Sequence, residues 1–270
     1  MPELPEVETT VAGLRPVLEG RRLTLVEPRR PDLRWPFPGD LRQRMTGAKI
    51  TALGRRAKYG LIETDRDDVM VFHLGMSGRW RIDPEEIEKH DHLLLETDDG
   101  HRLVLNDPRR FGSVDLVPKD NIDFYKPFVS MGPEPLSDSF DGKFLKAATK
   151  NRKAPIKQLL LDQRTVAGLG NIYVCEALHM AGISPRKAAG RISKPKYDEL
   201  VDSVKQVLTA AIAAGGSSLR DFVQPDGELG YFAKDWLVYG REGETCHCGS
   251  LIKRRVDSGR STFYCPQCQK

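Results

Sequence analysis

The sequence predicts an α+β protein, with an N-terminal helix and β-sandwich followed by a helical domain that ends in a small β-ribbon built around a metal. Three observations carry this. Near the start, Val7, Val11, Leu14 and Leu18 recur at helical spacing. From Arg22 to about Val117 the pattern changes to short runs of β-branched and aliphatic residues separated by turns. After the Pro/Gly cluster Met131-Gly132-Pro133-Glu134-Pro135 helical texture returns, and four cysteines gather near the end.

The first helix is expected from about Pro5 to Leu18, because proline suits a first-turn position and Gly20 ends the run. Leu23 to Val26, Val69 to His73, His92 to Thr97 and Arg102 to Leu105 read as strands. Asp98-Asp99-Gly100 is a hairpin signal between the last two. Several short strands spaced by turns suggest a sandwich. Helices follow at Phe140 to Lys150, Ala154 to Asp162, Ile172 to Ala181 and Lys196 to Ala214. The glycine-rich stretch Thr165 to Asn171 separates two of them, and its exposed amides suit either a bound phosphate or a plain connector. The expected domains are 1–130, 131–235 and 236–270.

At 270 residues, with 39% hydrophobic and 30% charged residues, the chain is expected to fold as a globular protein rather than remain disordered. No apolar run reaches the roughly 18 residues of a membrane span, and no secretory signal opens the chain, so a cytoplasmic location is expected. The net charge of +4 permits nucleic acid as a partner without demanding it. Its distribution is more informative: Lys150 to Lys157 is basic with no acidic residue, and Lys253, Arg254, Arg255 and Arg260 crowd the C-terminal segment. Both stretches suit a phosphate-binding face, or simply solvated surface.

Cys246, Cys248, Cys265 and Cys268 form two close pairs with sixteen residues between them, the spacing of two knuckles that together hold one tetrahedral zinc ion. Four protein ligands leave no position for water, so the expected cofactor is one structural Zn2+. The first knuckle has only His247 between its cysteines, where two residues are usual, so either Cys246 or His247 completes the set. Cys175, in an apolar helical stretch, reads as a small core residue.

The N-terminus is the candidate reactive site. Proline at position 2 favours removal of Met1, which turns a tertiary amide nitrogen into a secondary amine. Such an amine can attack an electrophilic sugar carbon and form an iminium that permits elimination of neighbouring phosphates. Glu3 adjoins it and is placed to deliver or remove a proton. The same start, Pro-Glu-x-Pro-Glu, is equally a good helix-capping sequence with carboxylates in the first turn.

Taken together and in order, the motifs resemble the formamidopyrimidine-DNA glycosylase family from end to end. The matching segments are Met1 to Thr9, Arg55 to Tyr59, His73 to Gly78, Lys89 to His92, Asp107 to Gly112, Gly168 to Tyr173, Asp226-Gly227 with Gly230 to Phe232, and Gly259 to Cys265. The resemblance implies a β-sandwich, a helix-two-turn-helix domain and a zinc finger, with DNA in a positively charged cleft. It implies a bifunctional enzyme that excises oxidised purines such as 8-oxoguanine and formamidopyrimidines from duplex DNA, then cleaves the backbone by β,δ-elimination. The partner is double-stranded DNA carrying oxidised bases or abasic sites, with no membrane involved, and a monomer is expected.

By the same resemblance, Pro2 is the Schiff-base nucleophile, Glu3 the acid that assists base loss and sugar opening, Lys58 the group for β-elimination and Arg260 the group for δ-elimination. Met76, Arg109 and Phe111 fill the space vacated by the flipped base. His90, Arg109, Arg152, Asn171 and Arg260 contact phosphates. The loop from Gln224 to Tyr231 is similar to the family's lid over 8-oxoguanine. Two rivals are an endonuclease VIII-like enzyme for oxidised pyrimidines, disfavoured by Leu4 and by Asp107 to Gly112, and a noncatalytic zinc-containing binder of damaged DNA.

Overall fold

The computed structural model describes residues 2–217 and 223–270. It divides into two compact units, residues 1–129 with 212–233, and residues 130–211 with 234–270.

The first unit begins with α1 (Leu4–Leu18), whose buried residues include Val7, Val11, Leu14 and Leu18, the stripe read from the sequence. Strand β1 (Leu23–Pro28) and the short helix α2 (Leu41–Met45) follow. Next come β2 (Ile50–Arg56), β3 (Tyr59–Thr64), β4 (Asp68–His73), β5 (Arg79–Ile82), β6 (Asp91–Thr97), β7 (Arg102–Asn106) and β8 (Ser113–Pro118). They form two antiparallel four-stranded sheets, ordered β1-β6-β7-β5 and β2-β3-β4-β8. Leu95 pairs with Leu103 across the predicted hairpin. Residues from α1 and from both sheets share one core, among them Leu14, Ile62, Phe72, Trp80, Leu95 and Leu105. Helix α1 is thus the cover of a sandwich whose strands alone would leave apolar side chains in water. The short helix α3 (Lys126–Val129) closes this stretch.

In the second unit, α4 (Gly142–Thr149), α5 (Ile156–Leu161), α6 (Asn171–Met180) and α7 (Lys194–Ala213) fall within two residues of the expected starts. The connector from Thr165 to Gly170 lies between α5 and α6, as read. Helix α4 is capped by Asp141, whose carboxylate accepts the Phe144 N–H at 2.6 Å. The ribbon is β9 (Lys253–Asp257) paired antiparallel with β10 (Arg260–Tyr264). Cys175 lies in the core shared by α6 and this ribbon, as its apolar context suggested. Among the described residues, no helix is long and apolar enough to cross a membrane.

Candidate active site and zinc centre

Glu3 is the N-cap of α1 and forms a capping box with Glu6: the Glu6 carboxylate accepts the Glu3 N–H at 2.7 Å, while Glu3 accepts the Glu6 backbone N–H. The other Glu6 oxygen accepts the Ser217 N–H at 2.9 Å, which fastens the start of the 217–231 segment to the helix end. Pro2 and Glu3 are both buried. The capping sequence therefore does what its composition suggested, and the same cap orders the backbone that carries the reactive candidates.

Lys58 sits in the two-residue turn between β2 and β3, next to Ala57, which adopts a positive φ of 54°. An isolated surface lysine would be solvated; this one is only 8% exposed. Arg55 explains its placement. Its Nε donates to Glu8 Oε2 on α1 at 2.7 Å, and its Nη1 donates to the Ala57 carbonyl at 2.9 Å, so one guanidinium ties the Lys58 turn to the N-terminal helix. His73, on β4, stacks tilted on Tyr59 with ring centroids 4.7 Å apart, and its Nδ1 accepts the Gly75 N–H at 3.0 Å. Desolvation of the ring, helped by the Lys58 and Arg34 charges, pulls its pKa down to about 4. The ring is therefore neutral at pH 7.

Met76, Arg109 and Phe111 come from two loops that the fold joins. Asp107 is fully buried, accepting the Ser77 hydroxyl at 2.7 Å and the Gly112 N–H at 2.8 Å. Gly75 (φ +62°) lies so close that a Cβ there would meet the Phe111 carbonyl carbon at 2.3 Å. On this support the Arg109 guanidinium lies over the Phe111 ring, 4.9 Å from its centroid, and Phe111 is 45% exposed. A large aromatic exposed on a braced loop contributes little to the core and is free to meet another surface. His90 is half-buried beside the same loop, where its carbonyl accepts the Asp107 N–H at 3.0 Å. The Gln224 to Tyr231 loop is docked on this unit, with Pro225 against Gly13 and its carbonyl accepting the Ile82 N–H at 2.9 Å.

In the second unit, Arg152 and Arg260 are exposed and line one cavity of about 820 Å³, together with Arg164, Arg186 and Arg255. Two basic stretches far apart in sequence thus meet on one surface. Asn171, the first residue of α6, directs its Nδ2 to the Ser261 carbonyl at 2.8 Å. That carbonyl also accepts from Lys157 Nζ at 3.1 Å, and Lys157 reaches Thr262 Oγ1 at 2.7 Å. Helices α5 and α6 therefore hold the strand that carries Arg260.

The four cysteine sulfurs lie within 4.8 Å of one another. Cys246 and Cys268 are 3.8 Å apart, Cys248 and Cys265 3.5 Å. A tetrahedral zinc ion with Zn–S bonds of about 2.3 Å requires sulfurs roughly 3.8 Å apart, close to the two distances given, so the donor set fits one structural Zn2+. Cys246 is within this set despite the short knuckle. His247 lies close by, with Nδ1 3.5 Å from Cys246 Sγ and Nε2 3.8 Å from Cys268 Sγ.

Comparisons with known proteins decide what frame this is. Residues 1–114 match the formamidopyrimidine-DNA glycosylase N-terminal domain, 131–223 its H2TH domain, and 243–270 the zinc finger found in FPG and IleRS. The chain belongs to the formamidopyrimidine-DNA glycosylase family. It is similar over its full length to the formamidopyrimidine-DNA glycosylase of Rhizorhabdus wittichii, at 73% identity with all of both chains covered. Among solved structures it is similar to a mutant Lactococcus lactis FPG in complex with a Fapy-dG containing DNA, at TM-score 0.92, 35% identity and complete coverage of both chains. The complex of the Lactococcus lactis Fpg with an abasic site containing DNA is equally similar, at 0.92 and 35%, again with both chains fully covered.

Within this formamidopyrimidine-DNA glycosylase frame, several residues escaped the sequence reading. Arg55 and Asp107 stood inside quoted motifs but received no role, because a brace is indistinguishable from a surface charge until its partner is known. Glu176 is buried in α6 and accepts the backbone N–H groups of Leu237, Val238 and Tyr239 at 2.7, 3.0 and 2.8 Å. Burial raises its pKa while these bonds oppose the rise. Its position on an apolar helix, one residue after Cys175, was the available signal.

Proposed function

We propose that the protein removes oxidised purines, 8-oxoguanine and formamidopyrimidines, from duplex DNA and cuts the strand at the resulting abasic site. The observation that carries this reading is the Lys58 turn held against the N-terminal helix by Arg55, together with the buried Pro2-Glu3 start of that helix. Glu3 already serves as a helix cap, so it is the burial of Lys58, at 8% exposure in a turn, that favours catalysis over plain binding.

The chemistry follows from these groups. Once Met1 is removed, the Pro2 nitrogen attacks C1′ of deoxyribose, the base leaves with a proton, and Glu3 protonates the ring oxygen as the sugar opens. The resulting iminium acidifies the C2′ protons. Loss of one, assisted by Lys58, expels the 3′ phosphate, and Arg260 assists expulsion of the 5′ phosphate. Water then hydrolyses the iminium and returns the amine. Met76 and Phe111 replace the stacking of the extruded base, and Arg109 supplies directional hydrogen bonds. His90, Arg152 and Asn171 hold phosphates. We assign these roles to segments 1–130, 131–235 and 236–270 of a cytoplasmic monomer. The zinc holds the finger's shape when bound and takes no part in the chemistry.

Borohydride trapping on a duplex containing 8-oxoguanine, with intact mass measured on the purified protein, tests the reading. A covalent adduct on protein lacking Met1, lost in Pro2→Gly, is expected. Full strand cleavage by protein that retains Met1 would overturn it.

A further inference from the structure

The zinc clamp has unequal halves. In the second knuckle, Cys265 Sγ accepts backbone N–H groups from both Gln267 and Cys268. In the first, Cys246 Sγ accepts the Cys248 N–H. The Gly249 N–H, which stands where Cys268 stands in the second knuckle, is turned onto the Cys246 carbonyl at 2.8 Å. The missing residue of the Cys246-His247-Cys248 knuckle thus costs the Cys246 sulfur a donor. Four thiolates around a dication carry net negative charge, and Cys246 is buried, so beyond the exposed His247 ring, whose Nδ1 lies 3.5 Å from the sulfur, a buried donor has to come from elsewhere.

His179 is where it comes from. It lies in the last turn of α6, is 5% exposed, and its Nε2 stands 3.4 Å from Cys246 Sγ. The other nitrogen, Nδ1, is buried and has no hydrogen-bond partner among the described residues. A buried imidazole with one bare nitrogen is a poor choice for packing alone, since an apolar ring would fill the site without that cost. We propose that His179 donates its Nε2–H to the Cys246 thiolate and acts as a positioning residue that makes the shortened knuckle a complete zinc clamp. The helix-two-turn-helix segment thereby stabilises the metal site of the finger through one side chain. The inference rests on the fit of the four sulfurs to zinc and is independent of the proposed DNA chemistry.

The test uses the full-length, zinc-loaded chain and three variants. His179→Phe and His179→Met fill the space without a donor, whereas His179→Gln keeps an N–H. Transfer of zinc to a chromogenic chelator should be about 10- to 100-fold faster in the Phe and Met variants, the usual effect of losing such a partner. The Gln variant should stay within a few-fold of the parent. Iodoacetamide labelling read by peptide mass should move Cys246 to the front of the alkylation order in the donor-less variants. Cobalt-substituted protein should show the same four-thiolate charge-transfer spectrum in every variant. Zinc transfer unchanged in both donor-less variants would overturn the proposal. So would a Gln variant as leaky as Phe, which means packing, or a cobalt spectrum that loses a nitrogen ligand with His179, which means direct coordination.

Discussion

Arg55 and Glu8 form a 2.7 Å charge-assisted hydrogen bond between β2 and α1, and the Arg55 side chain is only 9% exposed. The same guanidinium bonds the Ala57 carbonyl beside Lys58, so this pair fixes the proposed elimination lysine relative to the proposed nucleophile. Arg55→Ala is expected to destabilise the protein by about 2 kcal/mol. It should slow strand cleavage at a preformed abasic site more than it weakens binding of that duplex. Single-turnover cleavage and filter binding on one DNA separate the two effects. Equal losses in both would deny Arg55 a role specific to Lys58.

Asp107 braces the loops of Met76, Arg109 and Phe111 through the Ser77 hydroxyl and the Gly112 N–H. Asp107→Ala leaves both donors buried without an acceptor, at a cost of about 2 to 3 kcal/mol. Denaturant unfolding reads that loss. Discrimination between an 8-oxoguanine duplex and an undamaged one should fall in parallel, because the side chains proposed to fill the vacated stack lose their support.

Arg152 and Arg260 line one basic cavity in the second unit. If each neutralises one phosphate, each alanine substitution lowers the slope of log Kd against log salt by about 0.9. Titrations at several salt concentrations measure this. An unchanged slope for either variant removes that residue from the phosphate contacts.

His73 makes stability depend on acid. Its folded pKa is about 4 against an ordinary value of 6.5, so below about pH 6.5 the unfolded chain takes up a proton that the folded chain refuses. Stability therefore falls as pH drops from 6.5 toward 4 and does not change on this account above 7. At pH 5.5 the loss from this group is about 1 to 2 kcal/mol. His73→Asn keeps an acceptor for the Gly75 N–H and should remove that share of the decline. Thermal unfolding of parent and variant at pH 5.5 and 7.5 checks it, and parallel curves would show that His73 does not titrate as described.

The sequence by itself determined the local elements and the chemistry on offer. The Val7-Val11-Leu14-Leu18 stripe, the Asp98-Asp99-Gly100 hairpin and the paired cysteines are short-range patterns, set by the 3.6-residue helical period, by turn chemistry and by tetrahedral ligation. What only the tertiary structure decided is which charges are braces and which are exposed. Arg55 and Arg260 are alike as letters, yet one is spent on Glu8 and a carbonyl while the other lines an open cavity. Lys58 becomes a desolvated amine, and His179 a donor to sulfur, only because residues dozens of positions away arrive beside them. Long-range packing sets desolvation and hydrogen-bond partners, and no short window of sequence contains either.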